Sequence, residues 1–314
     1  MARRSDANAR PGRRTIKQRR LQAAVAGLDG TVRFNAPLKD YTSFCIGGPA
    51  DVLVEPADVA DVVRLVAQAR AQKLPIFVVG GTNLLIRDKG IRGVVVSLTK
   101  LRGIREEPGA VLYAQGGVGM PTLIGYAVRR SLAGLEWAAG IPGTVSGCVV
   151  MNAGTRLGEM KDAVKAVHLV TPTGKLVECP AAEIEFSYRR AALPPGIVVG
   201  VWLQLKPGVR SDIEKIVKDY LRYRRDTQPL ALPSAGCVFK NPPKDSAGRV
   251  VEAAGLKGAR VGDAQVSDKH ANFIVNQGRA SAKDVLALIK KVRTEVARKT
   301  GVKLELELKL VGQA

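Results

Sequence analysis

The chain has 314 residues, 46% of them hydrophobic, which is longer than one hydrophobic core usually grows, so two or three domains are expected. No window approaches the roughly 18 consecutive apolar residues of a spanning helix and the N-terminus lacks the apolar centre of a secretory signal, which argues against a membrane span and for the cytoplasm. The formal charge is +21, but residues 1–20 hold eight Arg or Lys against one acid, so +14 remains for the rest.

Residues 1–30 read as a disordered basic tail, because an Arg-rich segment this poor in apolar residues cannot offset its ordering entropy. A solvated tail is the simplest reading, and contact with nucleic acid or an anionic surface through it is the alternative. A transit peptide would need an amphipathic apolar face, which the tail lacks. From Asp51 to Leu98 the pattern is strand, helix, strand, strand: Val59, Val62, Val63 and Val66 fall at helical spacing within 58–73, and Ile76-Phe-Val-Val79 follows. This small α/β unit takes residues 31–99. Strands are expected at 94–98 and 111–115, a helix after Pro121, a hairpin over 166–179 around Thr173-Gly174 and a buried strand over 197–206. Residues 100–207 thus form a second lobe. Ser211 with Glu214 and Ser281 with Asp284 have capping-box spacing, so two helices are expected to flank a third unit, 208–300, whose strand is 271–276. Gly301 would end the second helix. In the final segment, 301–314, leucines alternate with charged residues, putting Leu304, Leu306, Leu308 and Leu310 on one strand face and Glu305, Glu307 and Lys309 on the other.

Several runs carry possible chemistry. Gly80-Gly-Thr-Asn-Leu84 follows an apolar strand, where small residues let backbone N–H groups approach a diphosphate or simply make a turn. No G-x-G-x-x-G opens a helix, so a Rossmann nucleotide site finds no support. Gly140-Ile-Pro-Gly-Thr-Val-Ser-Gly147, with Met151-Asn-Ala-Gly154 after it, could lie flat against a planar ligand, and a tight core loop would look the same. Cys45, Cys148, Cys179 and Cys237 stand far apart without Cys-x-x-Cys pairs, so free thiols and no metal are expected. Cys237 sits in Pro233-Ser-Ala-Gly-Cys-Val-Phe-Lys-Asn-Pro242 and reads as a buried inert thiol or as an acid with a reference pKa of about 8.5. If its neighbours lower that value well below working pH, donation fails and activity falls as pH rises. Arg189, in Phe186-Ser-Tyr-Arg189, reads on its own as a surface arginine. His168 looks structural.

Taken in order, the Gly140 and Met151 runs, Phe186-Ser-Tyr-Arg189, the Cys237 decapeptide and Leu304-Glu-Leu-Glu-Leu308 resemble the UDP-N-acetylenolpyruvoylglucosamine reductase family over roughly 35–312. The resemblance implies a three-domain α+β flavoprotein, with a two-lobed FAD-binding unit of the vanillyl-alcohol-oxidase kind and a C-terminal substrate domain. In the family a hydride passes from NADPH to FAD and then to the vinyl carbon of UDP-N-acetylglucosamine enolpyruvate, giving UDP-N-acetylmuramate for peptidoglycan. Carried over residue by residue, FAD contacts fall on Thr42 and Gly47 in Thr42-Ser-Phe-Cys-Ile-Gly-Gly48, and on Gly80, Gly81, Thr82, Asn83 and Leu84. Here Val79 and Thr82 stand where the family usually has glycine and serine. Further FAD contacts fall on Gly140, Ile141, Pro142, Gly143, Thr144, Gly147, Asn152, Ala153 and Gly154.

The resemblance makes Arg189 the cation for the substrate carboxylate. It puts Cys237 at the position of the family's proton-donating serine and Glu307 at its catalytic glutamate, with Leu306 and Lys309 where Pro and Arg are common. Substrate grip is implied at Tyr188, Arg225, Lys240, Asn241 and His270. Without a tyrosine-bearing insertion after Arg189 the chain resembles the shorter, second type, for which ping-pong use of one cleft and a monomer are expected. No histidine stands near Gly80–Asn83, so FAD is expected to bind non-covalently. Two rivals remain: another non-covalent FAD oxidoreductase of the same wider fold, acting on a hydroxy acid or sugar alcohol, and a basic binding protein. The second is weakened by an aromatic content of 4% with no basic–aromatic interleaving.

Overall fold

The structure is a computed structural model and describes residues 15–314. It opens with helix α1 (Ile16–Ala24), where the Thr15 hydroxyl accepts from Gln18 N at 3.3 Å and the Gln18 side chain accepts from Thr15 N at 2.9 Å. Leu21 and Ala24 are buried in the first lobe's core, and Lys17 reaches Asp51 at 2.8 Å. The expected disordered tail is thereby corrected for residues 15–30. Leu21, Ala24, Val25 and Leu28 form a narrow apolar edge that its charged neighbours mask. The remainder of that expectation, residues 1–14, lies outside the described residues.

The first lobe comprises β1 (Thr31–Pro37), β2 (Pro49–Glu55), α2 (Val59–Ala71), β3 (Ile76–Val79), β4 (Leu84–Ile86) and β5 (Ile91–Ser97). Its four-stranded sheet runs β1-β2-β5-β3, antiparallel only at β1. Strands covered on both faces need continuous apolar runs, and Val52–Val54 and Val94–Val96 are all fully buried. β4 leaves this sheet and waits for the C-terminus.

The second lobe contains β6 (Ile104–Glu107), β7 (Val111–Gln115), α3 (Met120–Arg129), α4 (Val145–Val150), β8 (Val164–Val170), β9 (Leu176–Pro180), β10 (Glu185–Ser187), β11 (Arg190–Ala192) and β12 (Ile197–Gln204). Five strands form an antiparallel sheet, β9-β8-β12-β7-β6. Leu112, Ala114, Val167 and Leu203 face a core shared with Leu123 and Val149 from the two helices. On the other face the Arg105 guanidinium lies 3.8 Å from the Tyr113 ring centre, which is 4.7 Å from that of Trp202. His168 joins this cluster through its Nδ1, 3.3 Å from the Tyr113 hydroxyl, a structural setting.

Helix α5 (Arg210–Thr227) corrects two expectations. Ser211 caps nothing, because the helix starts before it and Glu214 is held by Arg210 at 2.8 Å. The helix packs on α3 and residues 136–138, so it belongs with the second lobe rather than flanking the third unit.

That unit holds β13 (Ser234–Cys237), α6 (Ala247–Ala253), β14 (Arg260–Val261), β15 (Ala264–Val266), β16 (Phe273–Asn276) and α7 (Ala282–Thr300), with sheet order β13-β16-β15-β14. Ser281 and Asp284 do form their capping box, and α7 ends on Gly301 at φ +73°, a left-handed stop suited to glycine. Beyond it Leu304 and Leu308 are buried in the third core and Leu306 and Leu310 pack against it, so the leucine alternation holds. A regular strand, β17, forms only at Lys309–Val311, pairing in parallel with β4, and Leu306 makes a single bridge to Phe239. The segment changes partners midway, which interrupts the expected strand.

Candidate active site

A cavity of about 770 Å³ opens where the three units meet. One wall is made of the Gly80–Asn83 loop after β3, the 140–144 loop before α4 and Gly147 in the first turn of α4. Thr144 stitches the two: its N–H and hydroxyl both donate to the Gly80 carbonyl at 3.2 Å, and its Oγ1 accepts from Gly147 N at 3.3 Å. A Cβ on Gly80 would lie 2.9 Å from Thr144 Oγ1, and one on Gly147 would lie 2.8 Å from the Gly80 oxygen. The wall is therefore bare backbone by steric necessity.

The opposite wall carries ionisable groups. Ser234 pairs with Val275 and Cys237 with Phe273, so β13 holds one extra residue, with Gly236 at φ +74°. Such a bulge re-aims the following side chain, and Cys237 lines the cavity. Burial, then the Glu307 charge, push its thiol up to about 12, against the opposite pull of Arg189 and Arg224. The lowered value considered above is not what the surroundings produce.

Arg189 stands in the two-residue turn between β10 and β11 at φ +60°, a costly backbone state for a side-chain-bearing residue. Its Nε donates to Glu307 Oε1 at 2.8 Å, with the two side chains only 20% and 8% exposed. Burial raises the Glu307 carboxyl, with Arg189 resisting. From α5 come Tyr220, Tyr223 and Arg224. Arg224 donates from Nη2 to Gln228 Oε1 at 2.9 Å, while its Nε–H is buried without a partner. Arg156 lies 4.8 Å over the Tyr223 ring.

Of the residues expected at the site, Gly80, Gly81, Thr82, Asn83, Gly140, Ile141, Pro142, Gly143, Gly147, Ala153, Gly154, Arg189, Cys237, Asn241, His270 and Glu307 line the cavity. Thr42, Gly47, Leu84, Thr144, Asn152, Tyr188, Arg225 and Lys240 do not. Thr42 donates to the Ile46 carbonyl at 2.9 Å within its own loop, leaving Ser43 at the cavity. Gly47 packs on Leu38 and Ile86, and Leu84 is buried in β4. Asn152 donates to the Ser187 carbonyl at 3.1 Å, bracing the Arg189 hairpin from behind. Tyr188 lies under the Arg189 guanidinium at 4.9 Å. Lys240 sits outside with Glu305, 3.5 Å away. Arg225 faces solvent, and its neighbour Arg224 points inward. The 220, 223, 224 spacing marks one helix face, a signal that would have selected Arg224 and the two tyrosines.

The residues fit FAD: the closely apposed glycine backbones at 80, 143 and 147 leave a side-chain-free wall that suits a diphosphate and a planar ring, while the unpartnered Arg224 donor calls for an acceptor on a second ligand in the same cavity. Among the described residues no cluster of His, Cys, Asp and Glu could hold a metal ion.

Residues 228–311 match the UDP-N-acetylenolpyruvoylglucosamine reductase C-terminal domain, and residues 50–180 match an FAD binding domain. The chain is 47% identical over 286 residues to UDP-N-acetylenolpyruvoylglucosamine reductase 2 of Symbiobacterium thermophilum, covering 90% of this chain and 93% of that one. It is 43% identical to the reductase of Caldanaerobacter subterraneus subsp. tengcongensis, over 91% and 95% of the two chains. The chain belongs to the UDP-N-acetylenolpyruvoylglucosamine reductase family. The crystal structure of the Thermus caldophilus reductase superposes with a TM-score of 0.77 at 38% identity, covering 90% of this chain and 99% of that one. As in that family, this is an α+β flavoprotein fold for an FAD-dependent oxidoreductase. The matched C-terminal domain begins at 228, after α5, in keeping with the helix's packing on the second lobe. No helix among the described residues is long and apolar enough to cross a membrane.

Proposed function

We propose that the chain reduces UDP-N-acetylglucosamine enolpyruvate to UDP-N-acetylmuramate with NADPH, working as a cytoplasmic monomer. The observation that carries the reading is the meeting of Arg189, Cys237 and Glu307, from the second and third units, across one cavity from bare glycine loops. Bound non-covalently, FAD supplies hydride transfer between NADPH and the enolpyruvyl vinyl group. The Gly80–Asn83 backbone holds its diphosphate, and residues 140–143, 147, 153 and 154 hold its ring.

Arg189, oriented by Glu307, pairs with the substrate carboxylate and stabilises the negative charge that develops on the adjoining carbon. Cys237 keeps its proton at neutral pH because its thiol lies near 12, and delivers it to that carbon. Glu307, buried beside Arg189, fixes the guanidinium and limits its approach to solvent. Arg224, Asn241 and His270 grip the nucleotide sugar. Tyr188 supports Arg189 from beneath, and the Lys240 charge draws the Glu307 carboxyl downward. Any contact with nucleic acid or an anionic surface would run through the basic N-terminal residues.

The test is anaerobic NADPH oxidation by FAD-loaded protein with and without UDP-N-acetylglucosamine enolpyruvate. Oxidation that requires this substrate and yields UDP-N-acetylmuramate upholds the reading. Flavin reduction without turnover of that substrate sinks it and favours a hydroxy acid or sugar alcohol instead.

A further inference from the structure

Glu307 lies in the segment after α7, and both ends of the run from α7 to the C-terminus are tied to one short stretch of the first lobe. At the far end β17 pairs with β4, Lys309 N donates to the Asn83 carbonyl at 2.8 Å, and Arg87 N donates to the Val311 carbonyl at 2.9 Å. At the near end Asp88, two residues past β4, crosses to the start of α7. Its Oδ1 accepts from Ala282 N at 2.8 Å and its Oδ2 from Lys283 N at 3.1 Å.

A helix leaves its first N–H groups without intrahelical partners. Here Asp284 accepts from Ser281 N and Ser281 Oγ accepts from Asp284 N, so the two N–H groups between them fall to a carboxylate from another unit. The Asp88 loop is itself closely packed, with Gly48 N donating to the Arg87 carbonyl at 3.1 Å and Gln313 N to the Gly90 carbonyl at 2.9 Å. A Cβ on Gly48 would lie 2.0 Å from the Asp88 carbonyl oxygen, and one on Gly312 would lie 2.7 Å from that of Gly90.

We propose that Asp88 is a positioning residue for Glu307. The same stretch of chain, residues 80–90, supplies the cavity's glycine loop, the strand partner of the Glu307 segment and the acid that pins α7. Asp88 does not line the cavity, so it acts on the reaction through the placement of α7 and Glu307 relative to that loop. The inference rests on the role given to Glu307 above.

The experiment is a double-mutant cycle on the FAD-loaded full chain, with Asp88→Ala, Asp88→Asn, Glu307→Gln and the combined variants, reading kcat, KM, bound flavin and thermal unfolding. Small misplacement of reacting groups costs up to about 100-fold. Asp88→Ala is therefore expected to lower kcat roughly 10- to 100-fold with KM within about threefold. Asp88→Asn, which keeps an acceptor oxygen, should recover most of that, and in the Glu307→Gln background Asp88→Ala should lower kcat no further. An equal loss in both backgrounds, a loss confined to KM, or wild-type kcat in Asp88→Ala overturns the inference. Glu307→Gln with unchanged kcat overturns the role of Glu307 itself. Should Asp88→Ala fail to fold, Asp88→Ser, whose shorter side chain withdraws the carboxylate from Ala282 N and Lys283 N, takes its place in the cycle and is judged by the same criterion.

Discussion

Cys237 is defined by its surroundings more than by its chemistry. With the thiol raised to about 12 by burial and by Glu307, the proton stays in place across the working range, and thiol ionisation should not reduce turnover between pH 7 and 9. A raised folded value also has a stability sign: the contribution is complete below the ordinary thiol pKa of about 8.5 and is lost as pH climbs towards 12. Loss of a general acid costs about 10²- to 10⁴-fold, so Cys237→Ala should fall by that order in kcat while Cys237→Ser, with a hydroxyl at the same place, keeps most activity. Steady-state rates across pH would check both statements. Arg224 and Arg225 provide a paired comparison. Hydrogen bonds to charged groups contribute about 1.5–3 kcal/mol, so Arg224→Ala should raise KM for substrate or NADPH roughly 10- to 100-fold. Arg225→Ala, acting on an exposed side chain, should change it less than about twofold. The sequence placed a cation in this part of α5 but not on the correct face, because adjacent arginines differ by a rotation that only packing against Gly140 and Gln228 decides.

At the level of single elements, local chemistry was readable where nothing nearby competed for it. Ser281 and Asp284 cap α7 as their spacing foretold, whereas Ser211 and Glu214, spaced identically, do not, because Arg210 draws Glu214 into an i, i+4 pair. Helix α1 was hidden by composition, since its apolar edge is narrow and its stability comes from Asp51 and the α2 surface. The glycine loops were legible as bare backbone, but their mutual contact through Thr144 was not. That contact makes α4 sensitive at one point. Gly147→Ala would drive a Cβ to 2.8 Å from the Gly80 oxygen, at a cost of about 1–3 kcal/mol, and should lower the flavin absorbance retained through gel filtration. Gly125→Ala in α3 meets nothing closer than Arg129 at 3.5 Å and should instead stabilise by about 0.5–1 kcal/mol, read as a higher Tm.

For the whole molecule, the cavity draws lining from all three units, so ligand occupancy and cohesion are linked. FAD at about 100 times its Kd should add about 2.7 kcal/mol to stability, seen as a concentration-dependent rise in Tm on titrating the apoprotein. The alternating leucines of the C-terminal segment were legible from sequence. Their exchange of partners from the third core to β4 was not, since a strand's pattern fixes its buried face and leaves its neighbour open. The four cysteines differ in the same way. Cys148, Cys179 and Cys237 are sheltered, and Cys45 is exposed, in the left-handed region at φ +53°. Two residues before it, Ser43 donates its hydroxyl to the Thr82 carbonyl and accepts from Ser234 N at its own carbonyl oxygen, spanning the join between the first and third units. Among the described residues Cys45 is the exposed cysteine, and at that join it is a natural anchor for a thiol-reactive fluorophore that would report ligand entry into the neighbouring cavity without introducing any mutation.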